Sequence, residues 1–329
     1  MEKIRYSQAI GMAIADEMRD DPTVVAYGED FTLGYVWPVS RGLIDEFGPD
    51  RVFDVPISER LHVGMAVGAA MTGLRPVVEM QFSDFAMLAM DGIVNQSAKM
   101  RFMSGGQYTV PLVVRLPYGH LRNFAAQHSQ SLYSMFSGVP GLQVLAPTTV
   151  GEAYSLTRYA IASDVPTLLF EHKSLYGQRE ELELVRERPD MSVAPLGESY
   201  RYGSDPEIVV IATGYMSKIA RDAATRMQAD GVSALVYSLT NLSAPSFASI
   251  SDETARAGRV LIVDEATERD PFSGYLASLI YREHGTKLAA RVAELKVPDA
   301  PIPFAPALEA AVIPSAERVM SAMRSLLAE

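Results

Sequence analysis

Short runs of β-branched and apolar residues alternate with helix-length segments along nearly the whole chain. Val24-Val25-Ala26-Tyr27, Pro76-Val77-Val78-Glu79-Met80, Leu112-Val113-Val114-Arg115, Leu142-Gln143-Val144-Leu145 and Thr167-Leu168-Leu169-Phe170 predict strands. Their near-continuous apolarity is that of strands covered on both faces. Helical patterns lie between them over 7–19, 59–71, 85–103 and 150–162. In the first, Ile10, Ile14 and Met18 recur at helical spacing while Asp16, Glu17 and Arg19 face away. The run from Val63 to Leu74, rich in Gly and Ala, reads as a buried helix. This alternation predicts a parallel sheet with helices on both faces.

A polar stretch over 178–206 breaks the pattern. It contains Arg186-Glu187-Arg188-Pro189-Asp190 and ends in Gly203-Ser204-Asp205-Pro206, and 186–206 is the expected linker. A second series follows, with strands at Ile208–Ala212, 234–237 and 260–263 and helices over 217–229, 274–284 and 315–327. The fold class is therefore α/β, two doubly wound domains over 1–185 and 207–329.

The 329 residues are 48% hydrophobic and 21% charged, a globular balance. No stretch reaches the roughly twenty apolar residues of a membrane span. The start lacks a basic-then-apolar signal, and with no cysteine there is no disulfide framework or thiolate chemistry. A cytoplasmic location is the expectation. The net charge of −11 opposes nucleic acid and anionic membrane as partners.

Fold class names no activity. Three segments carry candidate chemistry. In Asp54-Val55-Pro56-Ile57-Ser58-Glu59, Pro56 stops a strand and Ser58 is placed to cap the helix opening at Glu59. Spacing alone favours a structural Glu59 that complements the helix N-terminus. In Ala125-Ala126-Gln127-His128-Ser129-Gln130, His128 is placed to move protons near neutral pH, although a lone loop histidine is more often structural. In Glu79-Met80-Gln81-Phe82-Ser83-Asp84-Phe85, a strand end offers two aromatic rings, to a flat ligand or to the core. The Gly-x-Gly-x-x-Gly fingerprint, the phosphate loop, the nucleophile elbow and zinc spacing are all missing.

Together these pieces resemble one family, the β subunits of the decarboxylating component of thiamine-diphosphate-dependent 2-oxoacid dehydrogenases, relatives of transketolase. Gly28-Glu29-Asp30, Pro56-Ile57-Ser58-Glu59, Gly73-Leu74-Arg75-Pro76-Val77-Val78-Glu79, Met103-Ser104-Gly105-Gly106 and Ala126-Gln127-His128-Ser129-Gln130 carry the resemblance. So do Pro140-Gly141-Leu142, Leu175-Tyr176 and Pro301-Ile302-Pro303-Phe304. It implies an N-terminal pyrimidine-binding domain and a smaller transketolase-like C-terminal domain. It implies that Glu59, buried and with a raised pKa, meets the aminopyrimidine ring of thiamine diphosphate and shares a proton with it. Phe85 would pack on that ring, with Gln81 and Glu29 lining the pocket. His128 would handle protons as the acyl group leaves. The family also implies a structural potassium ion on carbonyls near Leu112, Ala160, Ser163 and Val165.

The chain lacks the Gly-Asp-Gly motif through which such enzymes hold magnesium and the diphosphate. In two-chain members that motif belongs to the α subunit, so the resemblance implies an α2β2 heterotetramer with a shared cofactor. Some positions depart from the family pattern. Leu61 stands where a Gly is expected, and Gly119-His120-Leu121-Arg122-Asn123-Phe124 replaces a Gly-rich segment. In the second domain, Tyr237-Ser238-Leu239-Thr240-Asn241 and Glu268-Arg269-Asp270-Pro271 also differ. Two enzymatic readings follow: decarboxylation of a 2-oxo acid with acyl transfer to a lipoyl domain of an acyltransferase, or the same chemistry toward a non-lipoyl acceptor. A non-catalytic partner of an α-like chain is a third, opposed by Glu59.

Overall fold

The computed structural model describes residues 3–120, 122–182 and 197–329. Leu121 and the first part of the expected linker, 186–196 with Arg186–Asp190, lie outside the described residues. The chain divides into two units, Met1–Tyr118 with Met135–Pro195, and Gly119–Ser134 with Leu196–Glu329.

The first unit holds β1 (Lys3–Arg5), β2 (Val24–Gly28), β3 (Val52–Asp54), β4 (Arg75–Glu79), β5 (Val113–Tyr118), β6 (Gln143–Leu145), β7 (Thr167–His172) and β8 (Arg179–Glu181). Six of them form a sheet in the order β3-β2-β4-β5-β7-β6, with every pairing parallel. β1 and β8 pair antiparallel as a separate ribbon. Strands β2, β5 and β7 are buried throughout, as their mostly apolar runs predict, although β5 carries Arg115 and β7 carries Glu171 and His172.

The Tyr6–Asp20 helix packs on the Val150–Ala162 helix, which opens with a capping box from Thr149 to Glu152. Glu17, expected to face away, is fully buried and accepts a hydrogen bond from Arg158 Nε at 2.6 Å. Ile10, Ile14 and Met18 are buried as their spacing predicts, but a buried ion pair is invisible to periodicity. The Glu59–Met71 helix buries Val63, Ala66, Val67 and Ala70 and leaves Leu61, Gly64 and Gly68 exposed, so it is buried on one face only. The single helix expected over 85–103 is instead a 3-10 turn (Ser83–Ala89), a π-helical turn (Asp91–Ser97) and a short α-helix (Ala98–Met103). Gly92 lies so close to the Glu59–Met71 helix that an added Cβ would meet Val63 Cγ1 at 2.9 Å. The Ser97 hydroxyl donates to the carbonyls of Gly92 and Ile93 in the same wide turn.

The second unit holds β9 (Gly197–Tyr202), β10 (Ile208–Ala212), β11 (Ala234–Leu239), β12 (Val260–Thr267) and β13 (Ala293–Val297), in the order β13-β12-β10-β11-β9. All pairs are parallel except β9, which runs antiparallel to β11. β9 falls inside the expected linker. Its polar residues face out while Tyr200 and Tyr202 pack on the core, an edge strand that reads as loop. The helices Gly214–Ala229 and Ala316–Ala328 cover the sheet, contributing Met216, Ala220, Met227, Val319 and Met323 to the core.

Candidate active site

In the first sheet the chain passes from β2 to β3 on one side and then to β4 on the other. The order of connection therefore reverses between β2 and β4. In open parallel sheets, ligands bind outside the carboxyl ends of the strands at such a switch point. Glu29 directly follows β2, Gln81 follows β4 by two residues, and Glu59 follows β3 through the Val55–Ser58 turn. Three adjacent strand ends thus deliver the three polar candidates.

The turn is built locally. Val55 N donates to the Gly28 carbonyl at 3.0 Å, and Thr32 ties the loop after β2 to Asp54 through its N–H at 2.8 Å and its hydroxyl at 2.7 Å. At Gly28 a Cβ would meet the Glu79 carbonyl oxygen at 2.9 Å, so β2 and β4 close up there only because this residue is glycine. Ser58 does not cap the helix through its side chain. His62 is buried and its Nε2–H donates to the Pro56 carbonyl at 2.8 Å, while Tyr27 donates to the His62 carbonyl at 2.8 Å. Its Nδ1 is buried with no hydrogen-bond partner among the described residues.

Glu29 and Glu59 are both half-buried. Burial, and after it the charges of Asp30 and Glu59, push the Glu29 carboxyl above the ordinary carboxylate range, with His62 partly opposing. Glu59 thus contributes to the raised proton affinity of Glu29, though less than burial and Asp30 do. Phe85 is half-buried and stands edge-on to Phe82 at 5.6 Å. Trp37, unnoticed in the sequence, packs on Phe82 at 5.7 Å and donates to the Gln81 carbonyl at 2.7 Å, fixing the backbone that presents Gln81. Leu61, 50% exposed, follows Glu59 by two residues on the same helix and so projects from a different face.

Beneath this crevice, Arg115 is fully buried between Glu79 and Glu171. It bonds Glu79 through Nη1, and Glu171 through Nε and Nη2 at 2.7 Å each. Tyr176 donates to Glu171 at 2.7 Å. Burial raises the Glu79 carboxyl to about 7, against the opposing pull of Arg115 and with help from Glu171. The sequence did carry a signal for this group, since Arg115 and Glu171 interrupt otherwise apolar strands.

Of Leu112, Ala160, Ser163 and Val165, three already offer their carbonyls to hydrogen bonds, while Ala160 lies in the last turn of the Val150–Ala162 helix. Leu112 accepts from Thr167 N at 2.9 Å, Val165 from Thr167 Oγ1 at 3.0 Å, and Ser163 from Arg75 Nη1 at 2.9 Å. Arg75 also bonds Asp164 at 2.6 Å, so a guanidinium already supplies positive charge there. His128 lies in the second unit, on the Gly119–Ser134 segment, and is half-buried. The structure thus brings Glu29, Glu59, Gln81 and Phe85 to neighbouring elements of one unit and puts His128 in the other.

The family description "Transketolase, pyrimidine binding domain" matches residues 2–179, and "Transketolase, C-terminal domain" matches 197–319. The chain is 36% identical to 2-oxoisovalerate dehydrogenase subunit beta of Bacillus subtilis, over 99% of both chains. It is 33% identical to pyruvate dehydrogenase E1 component subunit beta of Rickettsia bellii, over 98% of both.

This chain belongs to the transketolase-like β subunits of 2-oxoacid dehydrogenases.

The acetoin:2,6-dichlorophenolindophenol oxidoreductase subunit beta of B. subtilis, another family member, is 34% identical over 99% of this chain and 98% of its own. A solved structure, "Split gene transketolase, inactive beta4 tetramer", superposes with a TM-score of 0.76 over 99% of each chain at 19% identity, which is a likeness of fold. None of the described helices is long and apolar enough to cross a membrane.

Proposed function

We propose that this β subunit pairs with an α subunit in an α2β2 enzyme that decarboxylates a 2-oxo acid and passes the acyl group to a lipoyl domain. The observation that carries the reading is the coupled pair Glu29 and Glu59 at the switch point of a parallel sheet. The pair gives a flat heteroaromatic ring two carboxylates with which to share protons, and Phe85 and Gln81 stand at the adjoining strand end. Thiamine diphosphate, when bound, supplies a carbon nucleophile and an electron sink for loss of carbon dioxide. Glu59 would hold the proton exchanged with the pyrimidine ring nitrogen. Glu29, already raised, would keep a proton close to Glu59 and limit repulsion between the two. Phe85 would fix the ring plane and Gln81 its polar edge. His128 would move the proton exchanged with the acyl acceptor.

Magnesium and the diphosphate would be held by the α subunit. A structural potassium ion on the Leu112, Ala160, Ser163 and Val165 carbonyls would have to share them with Arg75 and Thr167. The dehydrogenase and oxidoreductase names of the relatives favour the oxidative route over carbon–carbon bond formation. We place the complex in the cytoplasm, consistent with the cysteine-free sequence.

The test is calorimetric binding of thiamine diphosphate with magnesium to this chain alone and to its complex with the α subunit. Binding by the complex alone is expected. Tight binding by the isolated chain would overturn the shared site. In the complex, Glu59→Gln should lower 2-oxo acid turnover by about 10²-fold or more while leaving the melting temperature unchanged. Retained turnover would return the chain to a non-catalytic partner.

A further inference from the structure

The Gly119–Ser134 segment is interposed in the chain between β5 and the rest of the first unit, yet it is built into the second. Its backbone is under tension, because Asn123 (φ 58°) and Ala125 (φ 60°) both adopt the left-handed conformation just before Gln127-His128. The Ala125 carbonyl accepts from His128 N at 3.4 Å, so this turn leads directly into the histidine. The segment also lines a cavity of about 340 Å3 with His120, Ala126, Gln130 and Leu132, opposite Glu265 and Pro301. Close packing therefore does not define its position along that side.

Polar ties define it instead, at both ends. At the leading end, Asn123 donates from its backbone N–H at 3.1 Å and from its side-chain amide at 2.8 Å to one carboxylate oxygen of the buried Glu309. His120, itself buried, donates from Nε2 to the Glu265 carbonyl at 2.9 Å. At the trailing end, the fully buried Tyr133 donates its hydroxyl to Asp264 Oδ1, and its ring stands edge-on to Phe272 at 5.4 Å. Ser134 donates to Asp270. Asp264 Oδ1 also accepts from Ala266 N at 3.0 Å, so the carboxylate is fixed by its own strand before the loop reaches it.

We propose that Tyr133 with Asp264, and Asn123 with Glu309, are positioning residues that hold His128 at the height and angle required for proton transfer to the acyl acceptor. The clamp touches no reacting atom and acts only through the histidine it carries. It rests on the role proposed above for His128. Misplacing a proton-transferring group by about an ångström is enough to cost up to about 10²-fold in rate.

The experiment uses the complete α/β complex and measures two reactions of one 2-oxo acid. One is decarboxylation coupled to an artificial electron acceptor, and the other is reductive acylation of a lipoyl domain. His128→Ala is the reference. Tyr133→Phe keeps the ring packed on Phe272 and removes only the hydroxyl. It should lower kcat for lipoyl acylation about tenfold while leaving dye-coupled decarboxylation within about twofold. Glu309→Gln gives an independent variant at the other end, expected to act in the same direction. The double variant His128→Ala/Tyr133→Phe should be no slower than His128→Ala alone, because a residue acting through His128 has nothing left to position.

If the two substitutions multiply, or if both reactions fall together, the clamp proposal is overturned while His128 keeps its role. If His128→Ala itself leaves lipoyl acylation intact, the reading of His128 fails and the clamp proposal falls with it.

Discussion

Two groups of acidic side chains stand at the same end of the first unit's sheet, built on opposite plans. Glu79 and Glu171 are buried and share the Arg115 guanidinium, with Tyr176 added to Glu171. Glu29 and Glu59 are half-buried, with no salt bridge to either among the described residues, and burial, Asp30 and Glu59 raise the Glu29 carboxyl. A charge that serves the fold is neutralised where it stands, because an uncompensated buried ion costs several kcal/mol. Acidic groups left without such a partner at an open strand end are what the proposed ligand site would use. The contrast sets a closed scaffold group beside the proposed site.

The comparison is broken most severely at Arg115. Arg115→Met would leave two carboxylates facing each other in the core, and a loss of about 3–5 kcal/mol is expected. Denaturant unfolding of the purified chain measures it, and a loss below 1 kcal/mol would mean the group is not the closed unit described.

A smaller effect concerns pH. Glu79 holds its proton to about 7 when folded, against 4.5 as an ordinary Glu. The unfolded chain therefore releases this proton first. Its stabilisation is complete below pH 4.5 and is lost as pH rises to 7, by at most about 3 kcal/mol. Glu79→Gln should remove that downward slope, seen as a smaller difference in unfolding free energy between pH 5 and pH 8 than in the parent. An unchanged slope would mean that Glu79 is ionised throughout. The least effect is expected at Trp37. Trp37→Phe keeps most of the contact with Phe82 but strips the Gln81 carbonyl of its donor, at a cost of about 1–2 kcal/mol. Thermal unfolding reads it, and no change would place Gln81 under other control.

Much of this was legible in the sequence because hydrophobic burial writes a periodic signal. The Val24, Pro76, Thr167 and Ile208 strands and the helices over 59–71 and 150–162 stand where the pattern puts them. The signal fails where polar groups are buried or apolar ones are few. Glu17 looks solvent-facing until Arg158 is beside it, β9 looks like linker until Tyr200 and Tyr202 meet a core, and the π-helical turn answers to Gly92 meeting Val63. At the crevice, Glu59, Glu29, Gln81 and Phe85 were named from the resemblance. The raised proton affinity of Glu29 comes from burial and from charges on other segments, which no local pattern encodes. Trp37 and the Tyr133–Asp264 pair were missed for the same reason, each joining residues far apart in the chain.

The placement of the Gly119–Ser134 segment also bears on the gene. Many two-domain proteins survive being encoded as two pieces, with the break falling in the linker. Here a break anywhere in 183–196 would send His128 out on one polypeptide and Asp264, Phe272 and Glu309 on the other. Neither half could be recombined with a foreign counterpart unless both ends of the loop found matching partners. The histidine loop thus makes the two units a matched pair, and an exchanged unit would have to bring the partners of Asn123 and Tyr133 with it.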